Sequence, residues 1–477
     1  MRELRAYKKT ISIVNETAIG LYQSYVGNKV GFLLESYDKD NGRYTIFAKE
    51  PEHIISSKGN SLVISKKDGS KEVREGNPVE LLKEYYDEFH VTKDDGELAF
   101  IGGLVGSLAY DFVRYSEQLP DENEDEIGIE TIQFMFAKEF VVIDHVGETL
   151  TVVILEEDTE SGREMGIKAA EELIREMLEN YKPHGLDGKE EGINKQIKHD
   201  GRIVKKSDSL EQYSEKVEKI KQYIVEGHIF QTVLSQRWTI ETSQDGLELY
   251  KELRDLNPSP YLYYFKFPDF EIIGSSPEML VKQNENKVFT CPIAGTRPRG
   301  NNAEEDELLQ ADLLADEKER AEHVMLVDLA RNDMGRIAEF GTVKVSQFMH
   351  VQNYSHVMHI VSLVEGRKNG TYHPLDLVSS FLPAGTLSGA PKIRAMEIID
   401  ELETSRRGMY GGATGYISFD GNMDFCITIR TMIKKGNQVY LQAGAGIVLD
   451  SVAENEYNEC CNKVMALAKT LVEEENL

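Results

Sequence analysis

Three things are scarce in this 477-residue sequence, and each scarcity narrows what the chain can be. Cysteine occurs four times, as Cys291, Cys426, Cys460 and Cys461, with no CxxC spacing. That excludes a disulfide framework and a thiolate metal knuckle, and it fits reduced thiols in a cytosol. Cations are outnumbered: 54 Lys and Arg face 82 Asp and Glu, a formal net charge of −28. Such a surface repels nucleic acid and anionic membranes, so neither is an expected partner. It does not bar a small anion, because salt screens the global charge within about 8 Å. Long apolar runs are missing too. None approaches the ~18–20 residues of a membrane span. The opening Met1-Arg-Glu-Leu-Arg-Ala-Tyr-Lys-Lys9 lacks the apolar core of a secretory signal, so a cytoplasmic location is expected. Walker A and helix-opening GxGxxG patterns are also absent, and nucleotide binding is not indicated.

What remains is enough for a large core, since 40% of residues are hydrophobic. Strand-like runs alternate with turns over residues 1–181. Residues 182–206 carry Pro, Gly and many charges and read as a linker. Residues 207–477 mix helices with a late meander of strands at 414–419, 425–430 and 439–442. A helical pattern covers 304–340. Hairpins with intervening helices predict an α+β fold with large antiparallel sheets packed as a sandwich and flanked by helices.

The chemistry is concentrated after the linker. Cys291-Pro-Ile-Ala-Gly-Thr-Arg-Pro-Arg-Gly300 reads as a strand end, a turn on Gly295 and two departing arginines. In the helical pattern that follows, Glu319 and Glu322 share one face. Glu456 and Glu459 repeat the spacing, with Lys463 one turn further along. A single such pair usually does no more than sit in water. Two pairs suit a hard divalent cation such as Mg²⁺, which prefers oxygen ligands. Arg430, at the end of a strand whose other face is apolar, can take a carboxylate bidentately. The glycine-rich stretches 408–415 and 442–446 lie at strand ends, where backbone N–H groups can approach an anion. Glu278, after a proline, would need its pKa raised from ~4.3 toward ~7 to act as a general acid. His356 and His359 have the pKa range for proton transfer.

Together these stretches resemble the chorismate-utilising enzymes, and among them the anthranilate synthase component I group. The resemblance spans nearly the whole chain and is densest over 227–300, 307–346, 352–361 and 381–465. It includes Asn257-Pro-Ser-Pro-Tyr261 and Thr386-Leu-Ser-Gly-Ala-Pro-Lys392. It implies Mg²⁺ bridging the ring carboxylate of chorismate to Glu322 and Glu459, with Glu319 and Glu456 close by. Gly444, Ala445, Gly446 and Lys463 would help to hold that carboxylate, while Tyr410 and Arg430 grip the enolpyruvyl carboxylate. Glu278 would protonate the departing 4-hydroxyl as ammonia adds at C2. His359 would then assist pyruvate elimination, and Gln231 and Thr296 complete the catalytic set.

Two positions separate relatives. Ala294 stands where aminodeoxychorismate synthases carry a nucleophilic lysine, and Gln231 where isochorismate synthases carry a lysine that activates water. The pattern is also compatible with an enzyme that stops at the aminated intermediate, and with a non-catalytic tryptophan-binding protein on the same fold. Cys291 and His228 depart from the family pattern, which has arginine and aspartate there. Glu35 and Ser36, with Pro260, Tyr261 and Leu262 opposite, resemble the family's tryptophan feedback site. No cysteine lies in a nucleophile elbow, so a separate amidotransferase subunit is expected to deliver ammonia.

Overall fold

A computed structural model describes residues 2–36, 43–93, 98, 100–182, 199–354 and 357–473. His356 and most of the 182–206 segment lie outside the described residues.

Two large sheets, one of 13 strands and one of 12, carry the fold, and almost every pairing is antiparallel. In the first sheet, Tyr261–Lys266 pairs with Gly31–Glu35. In the second, Ala413–Ser418 pairs with Gly103–Leu108. Both sheets therefore draw strands from the segment before the linker and from the segment after it. The α+β sandwich read from the sequence is the observed architecture.

The central strands are buried on both faces, and the period of two explains how. Along Tyr261–Lys266, Tyr263 and Phe265 enter the core between the sheets, where Phe134, Val281 and Phe425 of the second sheet meet them. Leu262 and Tyr264 point the other way, into a second core with Tyr22, Trp238 and Tyr250. Helices Ala18–Tyr25, Glu160–Asn180 and Gly246–Leu256 cover that outer face. Fully burying one such side chain contributes ~1.5–3 kcal/mol, so loss of any of these aromatics would be felt by the whole molecule.

Four local expectations are corrected. The helical stretch 304–340 is two helices, Ala303–Ala315 and Glu317–Gly335, because Asp316 leaves the helical conformation and caps the second by accepting from the N–H groups of Lys318 and Glu319. The strand expected at 425–430 ends at Ile427. Residues 428–430 carry the chain out of the second sheet, and Thr431–Lys435 belongs to the first. The glycines of 442–446 do not follow a strand but lie inside one, Gln438–Ile447. Finally, Arg202–Lys206 at the end of the expected linker is an edge strand on Gln231–Glu241.

Candidate active site

Two crossings from one sheet to the other run side by side. At one, strand Glu271–Ser276 of the first sheet passes through Pro277 and Glu278 into Met279–Asn284 of the second. At the other, Met423–Ile427 passes through Arg430 into Thr431–Lys435. Backbone bonds lock them together: Ile427 N–H donates to Glu278 O (3.0 Å) and Ser275 N–H to Arg430 O (3.1 Å). Arg430 adopts a left-handed conformation with φ of 52°, which costs a non-glycine residue ~1–2 kcal/mol. The corner thus places an acid and an arginine, far apart in the sequence, next to each other.

Glu278 is buried, and burial pushes its carboxyl up to about 8. The Thr386 hydroxyl, the Ile293 N–H and the charge of Lys463 pull in the opposite direction without cancelling that cost. Thr386 Oγ1 donates to Glu278 Oε1 at 3.0 Å. Protonated near neutral pH, Glu278 is equipped to give up a proton. Thr386 is a contact that sequence reasoning missed. Its segment carries part of the family resemblance, but no local signal points from it to Glu278.

His359 lies on strand Val357–Arg367. Its Nδ1 is 2.8 Å from Gly295 O and 3.1 Å from Thr296 Oγ1. A carbonyl neighbour can only accept, so Nδ1 carries the hydrogen and Nε2 is left as a basic lone pair. Burial first, and then the positive charges of Arg430 and Lys463, hold the ring below the usual histidine range and keep it neutral.

The glycine-bearing strand runs beside Gln231–Glu241, with Val233 opposite Gly446 and Ser235 opposite Gly444. Val233 N–H bonds to Ser388 O instead of to this strand. Alternation in an antiparallel ladder then turns the N–H groups of Gly444 and Gly446 to the far edge. The neighbouring strand Thr431–Lys435 reaches only as far as Leu441. Ala445 between them faces the ladder. A side chain at either glycine would have to displace a neighbour: a Cβ would lie 2.8 Å from Tyr410 Oη at Gly444 and 2.4 Å from the Nε2 end of Gln231 at Gly446. Lys463, on helix Ala453–Ala468, donates to Gly444 O (2.9 Å) and pairs with Glu459 (2.7 Å). Arg430, Glu459 and Lys463 line an open cleft of about 380 Å³ with Asn455, Asn458 and Asn462.

One acid pair stands on helix Ala453–Ala468, which lines this cleft, and the other on helix Glu317–Gly335. Burial and then the neighbouring Glu322 raise the Glu319 carboxyl. Burial raises that of Glu456, and Glu459 adds to the shift. Lys318, beside Glu319, acts electrostatically on Glu456, so the two helices are within reach of each other. Gln231 Nε2 donates to Glu322 Oε1 at 3.3 Å, while its own buried Oε1 has no partner. Among the described residues, no three His, Cys, Asp or Glu side chains converge on one coordination point. The donors are carboxylate oxygens only, with one orphaned amide oxygen beside them. That set fits a hard, oxygen-preferring cation and disfavours zinc or copper.

The remaining sequence-selected residues form a second site. Glu35, Ser36, Pro260, Tyr261 and Leu262 line one cavity of about 680 Å³, together with Cys291. Glu35 is held there by Tyr250 Oη (2.5 Å) and Arg254 Nε (3.0 Å). Asp424 accepts from Tyr261 Oη at 2.8 Å and pairs with Lys282 at 2.7 Å. Burial pushes the Cys291 thiol up to about 12, so it is a packing group here and not a nucleophile. His228 is exposed, 3.5 Å from Glu226, and Ala294 is buried in strand Ile293–Pro298.

Comparison with known proteins decides the family. Residues 32–469 match the family model described as chorismate binding enzyme. The chain belongs to the chorismate-binding enzyme family. Within it, the chain is 47% identical to anthranilate synthase component 1 of Acetivibrio thermocellus, over 96% of this chain and 93% of that one. It is 42% identical to the Thermus thermophilus protein of the same name, over 99% and 98%. The crystal structure of anthranilate synthase component I from Streptococcus pneumoniae is similar at 38% identity and a TM-score of 0.77, covering 90% of this chain and 93% of that one. The menaquinone-specific isochorismate synthase of Escherichia coli, at 18% identity and a TM-score of 0.70 over 99% and 95%, shares the chorismate-binding fold.

Proposed function

We propose that this chain is the aminating subunit of anthranilate synthase. It would convert chorismate and ammonia to anthranilate, pyruvate and water, the first committed step of tryptophan biosynthesis. The observation that carries this reading is the corner where buried Glu278, neutral His359, Arg430 and Lys463 meet. It offers one proton donor, one proton acceptor and two cations for a dianionic substrate. Arg430 and Tyr410 grip the enolpyruvyl carboxylate. Lys463 and the outward N–H groups of Gly444 and Gly446 receive the ring carboxylate. Glu278 gives its proton to the departing 4-hydroxyl as ammonia adds at C2, and that hydroxyl leaves as water. The added nitrogen loses its surplus proton to solvent; His359 Nε2 then takes the C2 proton as the C3–O bond breaks, and the released enolpyruvate takes up a proton to become pyruvate. Thr296 and Gly295 O keep the histidine ring aimed. Gln231 offers no basic nitrogen to activate water, which favours ammonia as nucleophile. Glu319, Glu322, Glu456 and Glu459 would hold a Mg²⁺ ion, whose chemistry is polarisation of the ring carboxylate.

The test is anthranilate fluorescence from purified protein given chorismate, Mg²⁺ and excess ammonium at alkaline pH. A signal abolished by EDTA is expected. Consumption of chorismate without fluorescence overturns anthranilate as the product.

Relatives bearing the name component 1 support a partner component, and we assign it the glutamine amidotransferase role. The four cysteines are free thiols, in keeping with work in the cytosol. The 680 Å³ cavity is assigned to tryptophan as a feedback ligand. Ser36→Phe fills part of that cavity. The tryptophan concentration for half-inhibition is expected to rise by about tenfold or more, a loss of ~1.4 kcal/mol of binding, with kcat unchanged. Inhibition equal to that of the wild type would remove Ser36 from the ligand's contacts.

A further inference from the structure

Glu278 must recover a proton after every turnover, and its burial makes the source a structural question. Glu278 also lines a second, small cavity of about 30 Å³, and Thr386 and Asp333 are among its other lining residues. Leu326, Leu329 and Ala330 also line it. That volume exceeds the ~10–15 Å³ needed to seat one water, and the polar side chains on its lining, Glu278, Thr290, Asp333 and Thr386, can offer the two to four partners such a water requires.

Asp333 is a charged residue in an unusual place. It lies near the end of helix Glu317–Gly335 and is 4% exposed. Both of its oxygens accept from Lys392 Nζ, at 3.0 and 2.8 Å. Lys392 opens helix Lys392–Leu402, and its side chain retains 12% exposure. The pair thus reaches from the cavity to the surface. A buried ion pair is a weak source of stability. Burial raises the Asp333 carboxyl, with Lys392 and then Arg336 opposing. The other ionisable groups acting near Glu278 are Lys463 and Cys291.

We propose that Asp333 and Lys392 form a proton relay that reloads Glu278 through water held in the small cavity that Glu278 and Asp333 both line. The proposal rests on Glu278 being the acid of the reaction above. The relay moves protons only. The water gives one to the Glu278 carboxylate and takes one from Asp333. Asp333 takes one from the Lys392 ammonium, which is recharged by solvent. One proton enters from bulk water and one arrives on Glu278. Asp333 and Lys392 touch no substrate atom and act through Glu278.

The test compares Asp333→Asn with Ala330→Val, which fills the cavity while leaving both acids and the lysine in place. Steady-state turnover and the solvent deuterium isotope effect on kcat are measured against pH. In both variants kcat is expected to fall by about 10- to 100-fold, with KM for chorismate unchanged and a larger solvent isotope effect, as proton delivery becomes the slow step. A structural defect would lower the active fraction without changing the isotope effect. Wild-type kcat and isotope effect in both variants overturn the relay. If Asp333→Asn does not fold, Ala330→Val alone decides. Glu278→Gln is run in parallel. Wild-type turnover there would refute the acid assignment itself, while a dead Glu278→Gln beside a fully active Ala330→Val would refute only the relay.

Discussion

Glu278→Gln is expected to produce a protein that is more stable than the wild type above pH 8 and slower by about 10²–10⁴ in kcat. Both effects follow from one burial. The folded-state pKa is about 8, against an ordinary value of 4.5. Between those values the folded protein keeps a proton that the unfolded chain has released, so stability falls as pH rises through the window. Below about 4.5 both states are protonated and the penalty vanishes. Above about 8 the native state carries the full cost of a buried carboxylate, and stability no longer changes through this group. Glutamine keeps the shape and can still meet the Thr386 hydroxyl, but it has no charge to bury and no acidic proton to give. The melting-temperature difference between variant and wild type should therefore grow from pH 5 to pH 8 and then level off. In the wild type, kcat should decline above pH 8 as the donor loses its proton. A variant that melts at the wild-type temperature at pH 9 would mean that the carboxylate is solvated there. The cost that burial imposes at this position is the condition for its chemistry.

How much of the chain is legible in its sequence depends on whether a local pattern carries the information. The strand at 261–266 is legible because apolar residues run through it without a break, and Tyr261–Lys266 has those bounds. The acid pairs are legible because three-residue spacing on a helix fixes a shared face. The break at Asp316 is equally written in the sequence: an aspartate with glutamate three residues on is a helix-start signal. It is masked because helical periodicity continues on both sides. The glycines of 442–446 look like a loop because glycine weakens strands. They are tolerated because Tyr410 and Gln231 occupy the space a side chain would need. The corner itself is not legible. Residues 425–435 are β-compatible throughout and contain no turn residue, so no periodicity betrays the step from one sheet to the other at Arg430. Nor does anything local connect Thr386 or Asp333 to Glu278. That proximity exists only once the Glu317–Gly335 helix and the short turn Gly385–Leu387 pack together, with Asp333, Thr386 and Glu278 on one cavity.

Glu322→Gln should remove Mg²⁺-dependent turnover almost entirely while raising the thermal stability of the metal-free protein. Glu322 and Glu319 repel each other on one helical turn, and that repulsion helps to hold Glu319 above the ordinary carboxylate range. Neutralising one member relieves it, at a gain of roughly 0.2–0.5 kcal/mol for an exposed pair and more where burial reduces screening. Gln231, which now donates to Glu322, can still bond to the amide oxygen, so the fold has no reason to suffer. A divalent ion, by contrast, loses a full negative charge from its donor set. Polarisation by such an ion is worth several kcal/mol of transition-state stabilisation, so a loss of at least about 10³ in kcat/KM is the expected scale. Two readouts separate the metal site from a general defect. Titration of Mg²⁺ into the wild type should raise its melting temperature, because a ligand that binds only the folded state stabilises it by mass action. The same titration into Glu322→Gln should raise it little or not at all. Glu459→Gln should behave alike in the metal titration, but it also frees Lys463 from its 2.7 Å ion pair and should alter the apparent affinity for chorismate as well. Equal Mg²⁺ stabilisation of all three proteins would place the ion elsewhere. The four glutamates would then be acting only on the field around the substrate carboxylate.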